Sequence, residues 1–410
     1  MVRTHVIPSH IPKDVADELN RESGRIYTQV LVTHWRAYRK QGVWLSKYGA
    51  GKLNDYYNRD APRELYAHTI DAAQQGFYKA CAVTHLLRKQ GMEAKFPYHR
   101  RRYRTTTWFG EALKRDGEKL ILSNAKGCRK IELKLPEPLQ DALRILEVRL
   151  VYDRCSNRYF WHIVYETGKQ PKSTPGNNIV SVDLGEIHPA VVGDEEVSEI
   201  ITCRERRHKV QGFAKRLAKL QAAMQKKQKG SRAWHQLRKT KIRLRAKHQR
   251  VLRDLDHKIS RSIVDIAVER KAEKIVMGDV RDIANGVNLS KQTNQKISNW
   301  THGKVRQFTE YKAQAEGIEV ELIEERYTSQ TCPQCGTRHK PKGRNYRCPD
   351  CGFIGHRDVV GQINILSKYK HGENGKIPLP GVIKHRIPHN LRVMRRRQDT
   401  GYSKRSIADG

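Results

Sequence analysis

Ile179-Val180-Ser181-Val182-Asp183-Leu184-Gly185 runs a short hydrophobic segment straight into a carboxylate. A run of that length and composition reads as a buried strand, with the acid delivered to the rim of a sheet. Ile275-Val276-Met277-Gly278-Asp279 repeats the pattern. A third acid, Asp358, follows in His356-Arg357-Asp358 and opens a helix-like run through Val360, Ile363 and Leu366. Three converging carboxylates supply the oxygen ligands that Mg²⁺ takes. Two such ions, about 3.5–4 Å apart, activate water and stabilise the leaving oxygen of a phosphodiester. A lone Asp at a strand end is more often a cap or turn residue, so the set carries the argument.

Outward from the first strand, Ala190–Val192 and Ser198–Thr202 read as two more short strands joined by the acidic turn Gly193–Glu196, a three-strand meander. His208 to Lys271 is strongly helical. Phe213, Leu217, Leu220 and Met224 share one face, as do Leu252, Leu255, Ile259, Ile263 and Ile266. Gly230-Ser231 marks a turn between them, which predicts a helical hairpin. Its stretch Lys226–Arg250 is dense in Lys and Arg. Counter-charges there are too few for an i,i+4 network, so the basic face is expected to meet an external anion through Lys239, Lys241, Arg243 and Arg245. A loop-rich stretch, Arg281–Asn299, a helix over Trp300–Glu316 ended by Gly317, and a strand over Ile318–Ile323 follow.

Cys332-Pro333-Gln334-Cys335 and Cys348-Pro349-Asp350-Cys351 are separated by twelve residues. Two CxxC knuckles at that distance can close a tetrahedral site of four thiolates around one zinc. Gly336 and Gly352 follow the knuckles and permit the positive φ such turns need. Four protein ligands leave no open position, so this zinc is expected to be structural. A redox dithiol is disfavoured by two pairs in register. Cys81, Cys128, Cys155 and Cys203 are scattered singly, and metal ligation in a reducing cytoplasm fits better than a disulfide framework.

The chain's 410 residues suggest two to four domains. Its 80 Lys and Arg against 43 Asp and Glu leave a net charge of +37, which calls for a polyanion. Nucleic acid fits better than a membrane surface or a ribosomal-type structural role. No segment has the apolar length of a membrane span, and Met1-Val2-Arg3-Thr4-His5 opens no apolar signal segment. In the N-terminal part, Val15–Trp35 and Leu65–Leu87 read as helices and Tyr48–Arg59 as a connection. Strand-like runs at Thr105–Phe109, Lys119–Leu122, Lys130–Leu135, Ile145–Tyr152 and Arg158–Glu166 suggest a small β-barrel with helices inserted before it. Ahead of them, Tyr98, Arg100, Arg101, Arg102, Tyr103 and Arg104 interleave stacking surfaces with phosphate-binding cations. Core aromatics beside a solvated basic edge would produce a similar pattern. Lys169–Asn178 reads as a linker, and the tail from Lys370 lacks periodicity.

These motifs, set on an RNase H-like order of strands and helices, resemble the TnpB family of transposon-encoded, RNA-guided nucleases, relatives of compact type V CRISPR effectors. Val182-Asp183-Leu184-Gly185 resembles its first RuvC motif. Tyr327-Thr328-Ser329-Gln330-Thr331-Cys332-Pro333-Gln334-Cys335-Gly336 resembles the entry to its zinc ribbon. Cys348-Pro349-Asp350-Cys351-Gly352, Gly355-His356-Arg357-Asp358 and Asn364-Ile365 resemble its last RuvC motif, and Phe96-Pro97 with the basic run after it is similar to its barrel region. The resemblance is strong over 179–367 and weaker over 1–170.

It implies a multidomain α/β protein. A wedge-like β-barrel (1–11 and 94–170) carries an inserted helical recognition domain (12–93), and 171–178 is a linker. A RuvC domain (179–326 and 355–368) includes the basic hairpin 208–271 and is interrupted by a zinc ribbon (327–354). A basic tail, 369–410, is expected to be disordered, or ordered only on RNA. Asp183, Asp279 and Asp358 would hold two catalytic Mg²⁺ ions, and Cys332, Cys335, Cys348 and Cys351 one structural zinc. Many members carry Glu at the second acidic position, where this chain has Asp279; Asp282 is a fallback ligand. The implied activity is guide-directed, Mg²⁺-dependent cutting of both strands of DNA beside a short flanking motif, in a prokaryotic cytoplasm. Guide RNA and double-stranded target DNA would be the partners, and whether one molecule or a homodimer binds each guide stays open. The alternatives are a nuclease-inactive RNA-guided repressor and a protein-only RuvC-like nuclease.

Overall fold

The computed structural model describes residues 1–57, 64–279, 302–341, 343–389 and 391. The chain divides into two compact units, Met1–Gln170 and Pro171–Gly410.

The first unit runs β1 (Val2–Pro8), α1 (Lys13–Gln41), α2 (Lys47–Tyr57), α3 (Ala67–Lys89), β2 (Thr106–Phe109), β3 (Leu113–Asp116), β4 (Lys119–Leu122), β5 (Ile131–Lys134), α4 (Glu137–Gln140), β6 (Arg144–Asp153) and β7 (Arg158–Glu166). The strands expected of a small barrel pair as two antiparallel sheets, β1-β7-β6-β2 and β3-β4-β5. Alternation along β7 buries Tyr159, Trp161, Ile163 and Tyr165, and Trp161 meets Trp108 edge-on at 5.7 Å. Asn20 ties α1 to this sheet, donating to Leu150 O (3.2 Å) and accepting from Thr106 N (3.0 Å). Tyr48–Arg59, expected as a connection, is instead helix over Lys47–Tyr57. Its Gly, Asn and Tyr are weak helix formers, but Ala50 and Asn54 are buried, and Gln74 of α3 donates to Asp55 (3.2 Å). Tertiary docking outweighs local propensity here.

The second unit runs β8 (Asn178–Asp183), β9 (Ala190–Gly193), β10 (Val197–Ile201), α5 (Arg204–Gln225), α6 (Arg232–Glu269), β11 (Ala272–Asp279), α7 (His302–Ala315), β12 (Glu319–Glu324), β13 (Asn345–Arg347), β14 (Ile354–His356), α8 (Arg357–His371) and β15 (Val382–Arg386). Six strands form one mixed sheet in the order β12-β11-β8-β9-β10-β15. On one face, Val180, Val182, Ile275 and Met277 share a core with Leu255, Ile259 and Ile263 of α6 and Val305 and Ala313 of α7. Against the other face lies α8. Its Gln362 donates to Ser181 Oγ (2.7 Å) and Gly193 O (3.0 Å). The α5–α6 hairpin is pinned by the buried Arg206–Asp256 pair (2.8 Å), and Ser231 caps α6 by accepting from Trp234 N. Gly317, at φ +75°, follows the end of α7. The loop expected over Arg281–Asn299 lies outside the described residues, as do Trp300 and Asp282.

The tail requires a correction. Disorder was expected from residue 369, yet α8 continues to His371, and Val382–Arg386 forms β15, parallel to β10. The strand is too short and too exposed to show a pattern in sequence. Arg386 holds it, reaching Glu199 (2.7 Å) and Glu269 (2.6 Å). Residues 392–410 lie outside the described residues. Arg386→Ala is expected to cost about 1–3 kcal/mol, the scale of a charge-assisted pair, read as a lowered unfolding temperature. The exposed Lys384→Ala on the same strand should leave that temperature unchanged.

Candidate functional site

Parallel pairing of β8, β11 and β12 brings three strand ends to one edge of the sheet. Asp183 ends β8, Asp279 ends β11, and Glu325 directly follows β12. The first turn of α8 brings Asp358 to the same edge, where its charge and that of Asp183 oppose each other. Two glycines make the space. A Cβ on Gly361 of α8 would stand 2.6 Å from Asp183 Oδ2, and one on Gly278 would overlap Glu325 Oε2.

The electrostatics are those of crowded acids. Burial, then the charges of Glu325 and Asp358, push the Asp183 carboxyl well above its ordinary range, against an opposing effect of Arg357. Burial, then Asp279, push Glu325 up to about 7. Glu325 Oε2 is buried and has no hydrogen-bond partner among the described residues. Such a set is costly without a cation and suited to one.

The sign of the pH effect follows. Without the ion, the Glu325 carboxyl binds its proton more tightly in the folded state than in the unfolded chain. Its contribution to stability is therefore lost as pH rises from 4.5 towards about 7. Below 7 a bound cation must displace that proton. Mg²⁺ should thus raise the unfolding temperature more at pH 8 than at pH 6 in a thermal melt, and equal shifts would exclude these carboxyls as its ligands.

Asp358 accepts from Arg344 Nη1 (3.1 Å). One ligand atom each from Asp358, His188 and His356 lie within 4.8 Å of one another. Both imidazoles have Nδ1 buried without a partner among the described residues, and burial lowers both pKa values, favouring the neutral form that ligates metals.

The four predicted cysteines come together. Sγ of Cys332 lies 3.7 Å from that of Cys351, and Sγ of Cys335 lies 3.5 Å from that of Cys348. A tetrahedral ion with bonds of about 2.3 Å to sulfur separates its ligands by about 3.8 Å, so the cluster fits zinc. Gly336 and Gly352, both at φ +74°, turn the two knuckles. Thr337 pulls the Cys335 thiol down to about 6, towards the thiolate a metal needs.

The predicted nucleic-acid residues divide. Tyr98, Arg100, Arg101, Arg102 and Tyr103 are exposed, and a groove is lined by Arg100 to Tyr103 together with Arg21 and Arg25. Arg104 departs from them: its guanidinium sits 4.4 Å from the Tyr27 ring centroid and burial lowers its pKa. It works as a packing residue, which sequence cannot separate from its neighbours. On α6, Lys239, Arg243 and Arg245 are exposed and Lys241 is partly so. Sequence reasoning missed Glu325, His188 and Arg344. Glu325 did carry a signal, an apolar strand running into acids at Leu322-Ile323-Glu324-Glu325.

The chain is similar to known proteins. A family model described as "Cas12f1-like, TNB domain" matches residues 302–365, and OrfB_IS605, described as "Probable transposase", matches 162–284. A TnpB-like protein of Methanocaldococcus jannaschii is 29% identical over 194 residues, covering 47% of this chain and 69% of that protein. The chain belongs to the TnpB family. A second relative of this TnpB-family chain is the CRISPR-associated endodeoxyribonuclease Cas12f1 of Sulfoacidibacillus thermotolerans. It is 25% identical over 232 residues, covering 53% of this chain and 52% of that one. Among solved structures, a cryo-EM structure of a Cas12f1–sgRNA–target DNA complex superposes with a TM-score of 0.61 at 15% identity, covering 86% of this chain and 82% of that one. The TnpB-family chain thus has a Cas12-like multidomain α/β architecture with a mixed sheet and a four-cysteine cluster.

Proposed function

We propose that this protein is an RNA-guided DNA endonuclease that cuts both strands of DNA by metal-assisted phosphodiester hydrolysis. The observation that carries the reading is the convergence of Asp183, Asp358 and a third acid at one edge of a sheet, flanked by a thiolate cluster that fits zinc. Relatives named as an endodeoxyribonuclease and as putative RNA-guided DNA endonucleases support it. The N-terminal region, read as a wedge-like barrel (1–11, 94–170) with a helical insert (12–93), grips guide RNA and the guide–target duplex through shape and backbone charge. Base pairing supplies the sequence. Residues 179–326 and 355–368 form the RuvC-like nuclease, and 327–354 the zinc ribbon.

Two Mg²⁺ ions, when bound, would activate water and stabilise the leaving oxygen. The chain's own residues do the rest. Asp183 and Asp358 present oxygens from a strand end and a helix start, so their positions are fixed by regular structure. Gly361 keeps the helix clear of Asp183. Arg344 orients the Asp358 carboxylate through its 3.1 Å hydrogen bond. Exposed Lys239, Arg243 and Arg245 hold phosphates by charge.

The test is cleavage by protein co-purified with RNA from its flanking locus, on guide-matched DNA with randomised flanks. Mg²⁺-dependent, guide-matched cutting of both strands is expected. Guide-matched binding without cutting would replace this reading with a repressor, and cutting without RNA would replace it with a protein-only nuclease. A Gly361→Ala variant should cut at least about tenfold more slowly, because its methyl displaces the Asp183 carboxylate.

A further inference from the structure

The second acidic position, which sequence assigns to Asp279, is the weakest point of the carboxylate set. The strand register shows why. Val182 pairs with Met277 and Ser181 with Val276, so one step further Gly278 stands beside Asp183. Successive strand residues face opposite sides of a sheet. Ile275 and Met277 face the core shared with α6, and Asp279 takes their side. Ser181, which accepts from Gln362 of α8, shares its side with Asp183. Asp183 and Asp279 therefore leave their strands on opposite faces.

Glu325 resolves the mismatch. Asp279 pairs with Glu324 and Gly278 with Ile323, so Glu325 falls on the face of Gly278 and Asp183. Its carboxylate fills the space a side chain at position 278 would take, because a Cβ there would overlap Oε2 and come within 3.1 Å of Ile365 of α8. That same Oε2 is buried and unpartnered among the described residues. A buried acceptor oxygen without a donor is costly, and a cation between it and Asp183 removes the cost.

We infer that Glu325, reaching across from β12 into the gap left by Gly278, is the third carboxylate ligand of the nuclease metal centre, in place of Asp279. This rests on the nuclease reading above. Glutamate is the acid for the position because its longer arm spans the neighbouring strand, which a shorter Asp at 325 would do poorly.

The test measures Mn²⁺ bound by the full-length protein–RNA complex, by electron paramagnetic resonance, together with guide-matched cleavage. It compares wild type with Glu325→Gln, Asp279→Asn and Asp183→Asn, all nearly isosteric. Glu325→Gln should weaken the tightest Mn²⁺ site at least about tenfold and cut at least about a hundredfold more slowly, with RNA binding and zinc content unchanged. Asp279→Asn should stay within about twofold of wild type in both readouts. Unchanged Mn²⁺ binding in Glu325→Gln, or lost binding in Asp279→Asn, overturns the inference. Unchanged Mn²⁺ binding and cutting in Asp183→Asn would overturn the nuclease reading itself, so the two failures are distinct. Glu325→Ala combined with Gly278→Glu should regain part of both losses, because it restores a carboxylate from the adjacent strand; no regain counts against the inference.

Discussion

Asp183→Ala is expected to remove cutting, by at least about a thousandfold, while guide-matched DNA binding stays near that of wild type. The two effects separate because they rest on different physics. In the proposed function, binding draws on base pairing and on a basic surface spread over a chain of net charge +37, to which one acid contributes little. Cutting depends on oxygens placed at one point, and Asp183 lies between Glu325 and Asp358 in the electrostatics of the site. The variant should also melt at or above the wild-type temperature in Mg²⁺-free buffer, since a buried carboxyl crowded by like charges is destabilising there. Cleavage, filter binding and a thermal melt read the three expectations. Loss of target binding together with cutting would assign Asp183 a structural role instead.

Cys348→Ser should empty the thiolate cluster and loosen the C-terminal third. Cys348 is buried and packs with Cys332, Tyr346 and Val360, and Val360 lies on the same helix turn as Asp358. A structural zinc of this type contributes about 10–16 kcal/mol to folding of its module, so serine in one corner is not a local change. Zinc measured by elemental analysis should fall from one ion per chain towards none. Limited proteolysis should open within 327–354, and cutting should fall because the ribbon supports the start of the helix that carries Asp358. Unchanged zinc content would sink the assignment.

The parts legible in sequence share one property: their signal is local. A strand over Arg158–Glu166 and knuckles at Cys332 and Cys348 are written in consecutive residues, and the structure has both. The helix Lys47–Tyr57 was not legible, because the contacts that stabilise it come from α3. Arg104 and Arg102 look alike in sequence but differ in burial. The candidate carboxylate site falls between these cases. Asp183 and Asp279 both end an apolar run, but that pattern cannot say which face of a sheet an acid takes. The pairing of β11 with β8 and β12, and the core that Ile275 and Met277 face, supply that. The strand Val382–Arg386 lay in a segment expected to be disordered, since its stabilisation comes from a partner strand and two distant glutamates.

That last strand also sets an order of events during synthesis. Val197 of β10 waits for Val382 as its neighbour, and Glu199 for Lys384, so the edge of the sheet stays open until Val382–Arg386 has left the ribosome. Chains emerge at about 5–20 residues per second and their N-terminal domains fold first. The first unit can therefore be complete while the second still exposes an unpaired strand edge. Such edges are prone to pair with other chains, so the interval before Val382–Arg386 takes its place is when the second unit is most exposed to misassociation.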